Sequence, residues 1–458
     1  MKNSTILLTT SLAAFLTPFI SSSLSFLVPK VGEDLNLSFY QAAMLPLIIL
    51  IPLASFMLLF GRLSDQVGRV ALFRIGLVIF TVGSTFSFFS KSYDALISSL
   101  LVIGIGASII SANSTAIVSS TFFENRGFAL GINAMSVYLG LTIAPFASGV
   151  IAEFFSWQFL FLVVIPLSII SLSISFLALR TEITDKRKIG IKGSVIFALF
   201  LASLSVYLSF GYVYGFESLS PILYSSIVFF AVFVIEELYS SNPLISARMM
   251  KMRRSFIASN IAALLNYLGT FSVVFVFSIY LQVTLRISPF LSGLYILPEP
   301  AIMVLVSPLA GRLSDRVGSR RIASLGMLVI GMSFLSFFLL RTPNVREILL
   351  ILGILGLGFG LFSAPNTNSV MGSIKIEFSG FGSGFLGTMR FIGQLLSIIL
   401  ATTMFSFAIP RNIMIGIFSG VYVSIGQSYF QSFLTGFREV MFLSFLISIA
   451  GAISSVLR

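Results

Sequence analysis

Cysteine and histidine are both absent from the 458 residues. Disulfides, thiol nucleophiles and Cys/His metal sites are therefore excluded together. Charge is scarce too. Asp, Glu, Lys and Arg make up 10% of the chain, whereas a soluble domain carries about 25%. Such a chain cannot cover the surface of a soluble fold with polar groups. Clustered carboxylates and a nucleotide-binding loop are also missing: the glycines of GIGASII and GLGFGLF lie inside apolar runs, where they serve helix packing. An intramembrane enzyme is left without support, direct drive by ATP is disfavoured, and no cofactor is expected.

Hydrophobic residues supply 57% of the chain, and the mean hydropathy is +1.05. An integral membrane protein is the reading this composition allows. A spanning helix takes about 20 apolar residues. Fourteen windows meet or approach that length, from 3–29 to 440–457, with only Glu299 inside 287–311 and Arg390 inside 378–410. The windows are continuously apolar rather than alternating, which favours helices over a barrel. Residues 412–437 are also uncharged, but their serines, glutamines and four glycines suit an external loop.

The net charge of +12 could point to nucleic acid or to a membrane surface. Its distribution decides. With the N-terminus cytoplasmic, 20 Lys and Arg fall in inside segments and 7 outside, a bias that sets topology. Both termini are then cytoplasmic in the plasma membrane, the bilayer is the surrounding partner, and no nucleic-acid partner is needed.

One stretch occurs twice. Residues 61–69 read GRLSDQVGR and 311–320 read GRLSDRVGSR, each joining two apolar windows as a charged turn. Gly61, Arg62, Asp65 and Gly68 recur as Gly311, Arg312, Asp315 and Gly318, with Arg69 and Arg320 closing the two copies. GIGASIISANSTAIV (104–118) pairs with GLGFGLFSAPNTNSV (356–370), and RGFALG (126–131) with SGFGSG (379–384). Two related halves follow. The expected fold is all-α: a six-helix bundle over 1–180, two inserted helices with basic linkers over 181–254, and a second six-helix bundle over 255–458. An even insertion keeps the halves parallel, so both turns share a compartment. The glycines permit close helix approach. Asp65 can accept from Arg69 and face the positive end of a helix in the other half, a contact expected to hold the outward side closed and to break on rocking.

On these residues the chain resembles the major facilitator superfamily, and within it the fourteen-span drug:proton antiporter branch. SWQFLFLVVIPLS (156–168) and YLQVTLRISPFLSGLYILP (280–298) are similar to that branch as well. Gly140, Ala144, Pro145, Ser148 and Gly149 resemble its antiporter motif, with Ala144 where glycine is usual. Leu100, Ile103 and Ile20 stand where the family commonly carries an arginine, a glutamine and an acid. The resemblance implies two bundles that rock about a central cavity, a small-molecule substrate, protons as the coupling ion, and a monomer.

Glu299 lies twelve residues before Gly311, a rise of ~18 Å, and Arg390 lies ten residues after Gly380, a rise of ~15 Å. Neither suits a lipid-facing position. Glu299, bracketed by Pro298 and Pro300, is the candidate protonation site, since a carboxyl removed from water holds its proton more readily. Arg390 is the candidate contact for substrate or counter-ion. The family's arrangement makes Asn113, Asn133, Tyr138, Asn266, Tyr267, Tyr295, Asn366, Asn368 and Gln394 candidates for the cavity wall. With 49 Phe and 15 Met, that wall is apolar and deformable. The expected function is secondary multidrug-type export of small amphipathic or apolar compounds, in exchange for protons. A dedicated exporter of one metabolite or organic anion, an uncoupled facilitator, and a membrane receptor or sensor on the same fold stay open.

Overall fold

The computed structural model describes residues 2–37, 39–180, 191–241, 243–245, 252–281, 285, 287–340, 344–408 and 427–458. Its regular structure is helical. The first half holds α1 (Lys2–Asp34), α2 (Phe39–Val67), α3 (Arg69–Phe89), α4 (Tyr93–Thr121), α5 (Arg126–Phe154) and α6 (Phe159–Ala178). The inserted pair follows as α7 (Ile191–Tyr214) and α8 (Ser220–Tyr239). The second half holds α9 (Arg253–Thr270), α10 (Ser272–Ile279), α11 (Pro289–Ile296), α12 (Pro298–Val317), α13 (Ser319–Leu339), α14 (Val345–Gly372), α15 (Ser379–Ala408) and α16 (Gln427–Val456).

Each of the fourteen apolar windows is helical among the described residues. Twelve helices are long and apolar enough to cross a membrane. The others are α7, whose described apolar stretch is short, and the window at 255–285, which breaks between α9 and α10. The window at 287–311 breaks as well, at Leu297 between α11 and α12. Proline explains it: Pro298 and Pro300 remove two backbone donors where the ladder would continue.

The expected external loop at 412–437 needs correction. Residues 427–437 are the opening turns of α16, and 412–426 lie outside the described residues. Arg438 and Glu439 had marked the start of the span. Arg438 is accommodated inside the fold instead. Its Nε donates to the Phe338 carbonyl at 3.1 Å and its guanidinium lies 5.2 Å from the Phe338 ring. A cation that caps a neighbouring helix is no boundary.

Each half has its own core. Leu16, Phe19, Phe80, Leu100, Ile103, Trp157 and Phe161 pack together in the first. Phe277, Phe334, Phe337, Phe359 and Phe437 do so in the second. Leu100, Ile103 and Ile20, which replace the family's usual polar residues, are fully buried in the first core. The halves meet along two seams, α2 against α15 and α5 against α12. The inserted pair packs Phe197 against Phe233, with the tilted rings 4.9 Å apart, and packs α7 against α2, outside one seam.

Candidate functional site

The repeated stretch builds two matching locks. Most of each copy is the last turn of a helix, and only Gly68 and Gly318 leave the helical path. They adopt φ of 104° and 96°, values that side chains with a Cβ resist. Asp65 then reaches across the first seam. Its Oδ1 accepts from the Gly380 N–H at 2.8 Å and its Oδ2 from the Phe381 N–H at 2.9 Å. Asp315 repeats this across the second seam, accepting from Gly127 N–H at 2.9 Å and Phe128 N–H at 3.0 Å. In both cases a carboxylate sits on the free amides and positive end of a helix in the other half. RGFALG and SGFGSG are thus the receiving surfaces for the two GRLSD copies.

Glycine is required for this approach. A Cβ at Gly61 would overlap the Gly380 carbonyl, and one at Gly311 would overlap the Gly127 carbonyl. The flanking cations differ between the locks. Arg69 lies 3.6 Å from Asp65 and donates to the carbonyls of Ile376 (2.7 Å) and Glu377 (3.2 Å). At the second lock Arg126 supplies the charge from the facing helix, with Nε donating to Asn368 Oδ1 at 2.8 Å. Arg320, expected to match Arg69, is exposed. Arg62 is buried near the rings of Phe378 and Phe381, and Arg312 lies 5.8 Å from the Phe128 ring. Both locks lie at the end of the bundle that carries the turns, so they close that end. A contact seals the end on which it sits, so if the turns are cytoplasmic, as the charge bias leads one to expect, the locks close the inward side rather than the outward one.

Deeper in the bundle, side chains from both halves converge. Tyr138 of α5 meets Phe359 of α14 edge-on at 6.0 Å, and Tyr267 of α9 meets the same ring at 5.4 Å. The Tyr138 hydroxyl lies near the Ser363 side chain. Arg390 of α15 lies 5.8 Å from the Tyr267 ring and donates through Nη2 to Thr367. Glu299 is 7% exposed, in the first turn of α12. Its backbone presses so closely on Gly356 that a Cβ there would overlap the Glu299 carbonyl. Tyr138 is within electrostatic reach of both Glu299 and Arg390. Glu299 Oε2 and Arg390 Nε have no hydrogen-bond partner among the described residues. Tyr295 is half-buried against the core that holds Tyr138. Gln394 borders a small crevice with Leu50, Phe271 and Phe391. One acid, one guanidinium and an aromatic wall thus share the space between the halves.

The asparagines divide differently. Asn133 donates to Thr10 O (3.3 Å) and Ser114 Oγ (3.0 Å), tying α5 to α1 and α4. Asn113 donates to Ile109 O in its own helix, and Asn266 to the Met327 sulfur. Asn366 accepts from Arg458 at 2.6 Å. Asn368 belongs to the second lock, donating to Ser314 Oγ and Asp315 Oδ1, both at 3.0 Å. All but Asn113 bond one helix to another element of the fold. The span-5 motif is likewise a packing face. A Cβ at Gly140 would crowd the Phe15 carbonyl, and Ser148 Oγ donates to Ser23 O at 3.2 Å. Ala144 is buried, Gly149 is half-buried, and Pro145 borders Gly293 of α11. Thr367, Phe359, Ser363, Arg126, Gly127 and Gly380 went unmarked as site residues, although RGFALG and SGFGSG had been matched as repeats.

The model of the Major Facilitator Superfamily matches residues 10–398. The chain belongs to this superfamily. It is 28% identical over 432 residues to the riboflavin transporter RibZ of Clostridioides difficile, covering 93% of each chain. It is 27% identical over 297 residues to the methylenomycin A resistance protein of Bacillus subtilis, covering 64% of this chain and 63% of that one. To the multidrug resistance protein Stp of Mycobacterium tuberculosis it is 28% identical over 350 residues, 75% of this chain and 64% of that one. It thus spans less than two thirds of these two resistance proteins. In fold it resembles the human organic anion transporter MFSD10 (TM-score 0.67, 15% identity, 97% and 99% covered). The proton:xylose symporter XylE is similar too (TM-score 0.68, 13% identity, 98% and 94% covered). The chain is a multi-pass membrane transporter of small molecules.

Proposed function

We propose that the protein exports small amphipathic or apolar compounds by alternating access, with the turn end facing the cytoplasm of a plasma-membrane protein. The observation that carries this is the pair of locks. Two carboxylates at matched repeat positions each bridge the halves at one end, so opening that end breaks both together. Glu299 is the proton-carrying group: a buried acid with a free oxygen can bind and release a proton as each end opens. Arg390 and the aromatic wall of Tyr138, Tyr267 and Phe359 hold the compound. The resistance proteins among its relatives support a broad substrate range.

A dedicated metabolite exporter is the second reading. It draws on the near full-length match to a riboflavin transporter and on a guanidinium with a spare donor. Uptake into inside-out vesicles separates the two. The panel is lipophilic cations, dyes, organic anions and a flavin, with the pH gradient present or collapsed. Gradient-driven uptake of several unrelated compounds is expected for the exporter of broad range. Uptake of the flavin or one anion alone supports the dedicated reading. No uptake of any compound removes both.

A further inference from the structure

Three consecutive residues of α14, Asn366, Thr367 and Asn368, are each bound by a different arginine. Arg458 donates to Asn366 from beyond α16, Arg390 donates to Thr367 from α15, and Arg126 donates to Asn368 from α5. Successive helical residues point about 100° apart, so α14 is held on three sides at one level. Two of the grips join the central site to the second lock. Arg390 lies in the central site, while Asn368 donates to Asp315 and also accepts from Arg126 across the seam. The backbone of α14 is loosened just above this level. Pro365 inside the helix removes one ladder donor, a weak point in an otherwise unbroken helix.

We propose that Thr367 and Asn368 are positioning residues through which the state of Arg390 reaches the lock at Asp315. A compound that accepts hydrogen bonds from Arg390, beginning with its spare Nε, draws the guanidinium away from the Thr367 hydroxyl. Releasing Thr367 frees the lower turn of α14, and Asn368 rides on that turn. Asp315 then loses its side-chain donor and Arg126 loses its acceptor across the seam. Occupancy of the central site thereby loosens the turn end. This rests on the alternating-access reading, but the test uses no transported compound. Absence of flux and absence of this coupling are therefore separate results.

The lack of native cysteine makes the full-length chain suitable for a single reporter. Ser307 is fully buried on α12, its backbone lies against Gly131, and it sits behind the second lock. In a Ser307→Cys parent, the rate of labelling by a membrane-impermeant maleimide from the turn side reads opening of that seam. Thr367→Val is expected to raise the rate about tenfold, the effect of one hydrogen bond to a charged group. Thr367→Ser is expected to restore the parent rate, and Asn368→Ala to raise it by itself. Thr367→Val added to Asn368→Ala is expected to bring little further change, because the path already ends at the missing asparagine. Thr367→Ala serves in the same scheme should the valine variant not fold. Labelling of the Thr367 variants at the parent rate would overturn the proposal. So would failure of serine to restore it, or the same acceleration by Thr367→Val with and without Asn368.

Discussion

Replacing Asp65 by asparagine keeps the size of the side chain and removes its charge. The native carboxylate accepts two backbone N–H groups, from Gly380 and Phe381, and its side chain is 1% exposed. Asparagine offers one acceptor and turns an NH2 group toward the second amide. A hydrogen bond to a charged group contributes about 1.5–3 kcal/mol and a neutral one about 0.5–1.5 kcal/mol. With one bond weakened and the other removed, the loss is about 2.5–4.5 kcal/mol, which shifts a two-state equilibrium about 70- to 2,000-fold. It falls on the closed state, because water hydrates the same amides once the seam parts. Met57, on α2 against Gly387 of α15, can be replaced by cysteine as the reporter. Asp65→Asn should raise its labelling rate from the turn side by that factor, up to the limit of a fully open seam. A rate within twofold of the parent would refute the assignment of Asp65 as a closing contact.

Gly311→Ala should likewise speed labelling at Ser307→Cys, since its methyl group overlaps the Gly127 carbonyl; an unchanged rate means the seam tolerates the methyl. Glu299→Gln should abolish transport driven by a pH gradient while leaving exchange down a substrate gradient measurable in vesicles. Full gradient-driven transport in that variant removes Glu299 from coupling. Arg74→Ala should lower stability by about 1–3 kcal/mol, less than two fully buried charged bonds would give because Arg74 is half-buried and water screens it; Arg74 caps α6 at the carbonyls of Ser175 and Leu179, both at 2.8 Å. Thermal unfolding in detergent reads that change. Gly68→Ala forces a Cβ onto a φ of 104° and should cost about 1–2 kcal/mol, whereas alanine at a helical glycine with open space should not.

The repeats were legible because they are local strings, and local strings survive in one dimension. What they touch was not. Asp65 and Gly380 are 315 residues apart, and nothing in either stretch says that GRLSD receives its amides from SGFGSG. Arg438 misplaced the start of α16 because charge was read as exposure, whereas this guanidinium is consumed by the end of α13. Pro298 and Pro300 marked a weak backbone, and the helix does break beside them. Asn366 and Asn368, on either side of the unmarked Thr367, both read as candidates for the cavity wall. A helix turns each residue away from the last, so the three serve three different neighbours. Glu299 and Arg390 stood out in the sequence because charges inside apolar spans need an interior place, and Tyr138 and Tyr267 came from the family's arrangement. Phe359, to which both tyrosines turn their edges, was one of 49 phenylalanines with nothing to distinguish it.

Sidedness of the two turns is the most direct measurement. Val67 and Val317 occupy the same repeat position and are 48% and 42% exposed, so cysteine at either can be labelled without disturbing the locks. Two like-oriented bundles that rock about a shared gap require both cysteines to react with an impermeant maleimide in inside-out vesicles and both to be protected in right-side-out ones. Labelling of one from each side would contradict that architecture.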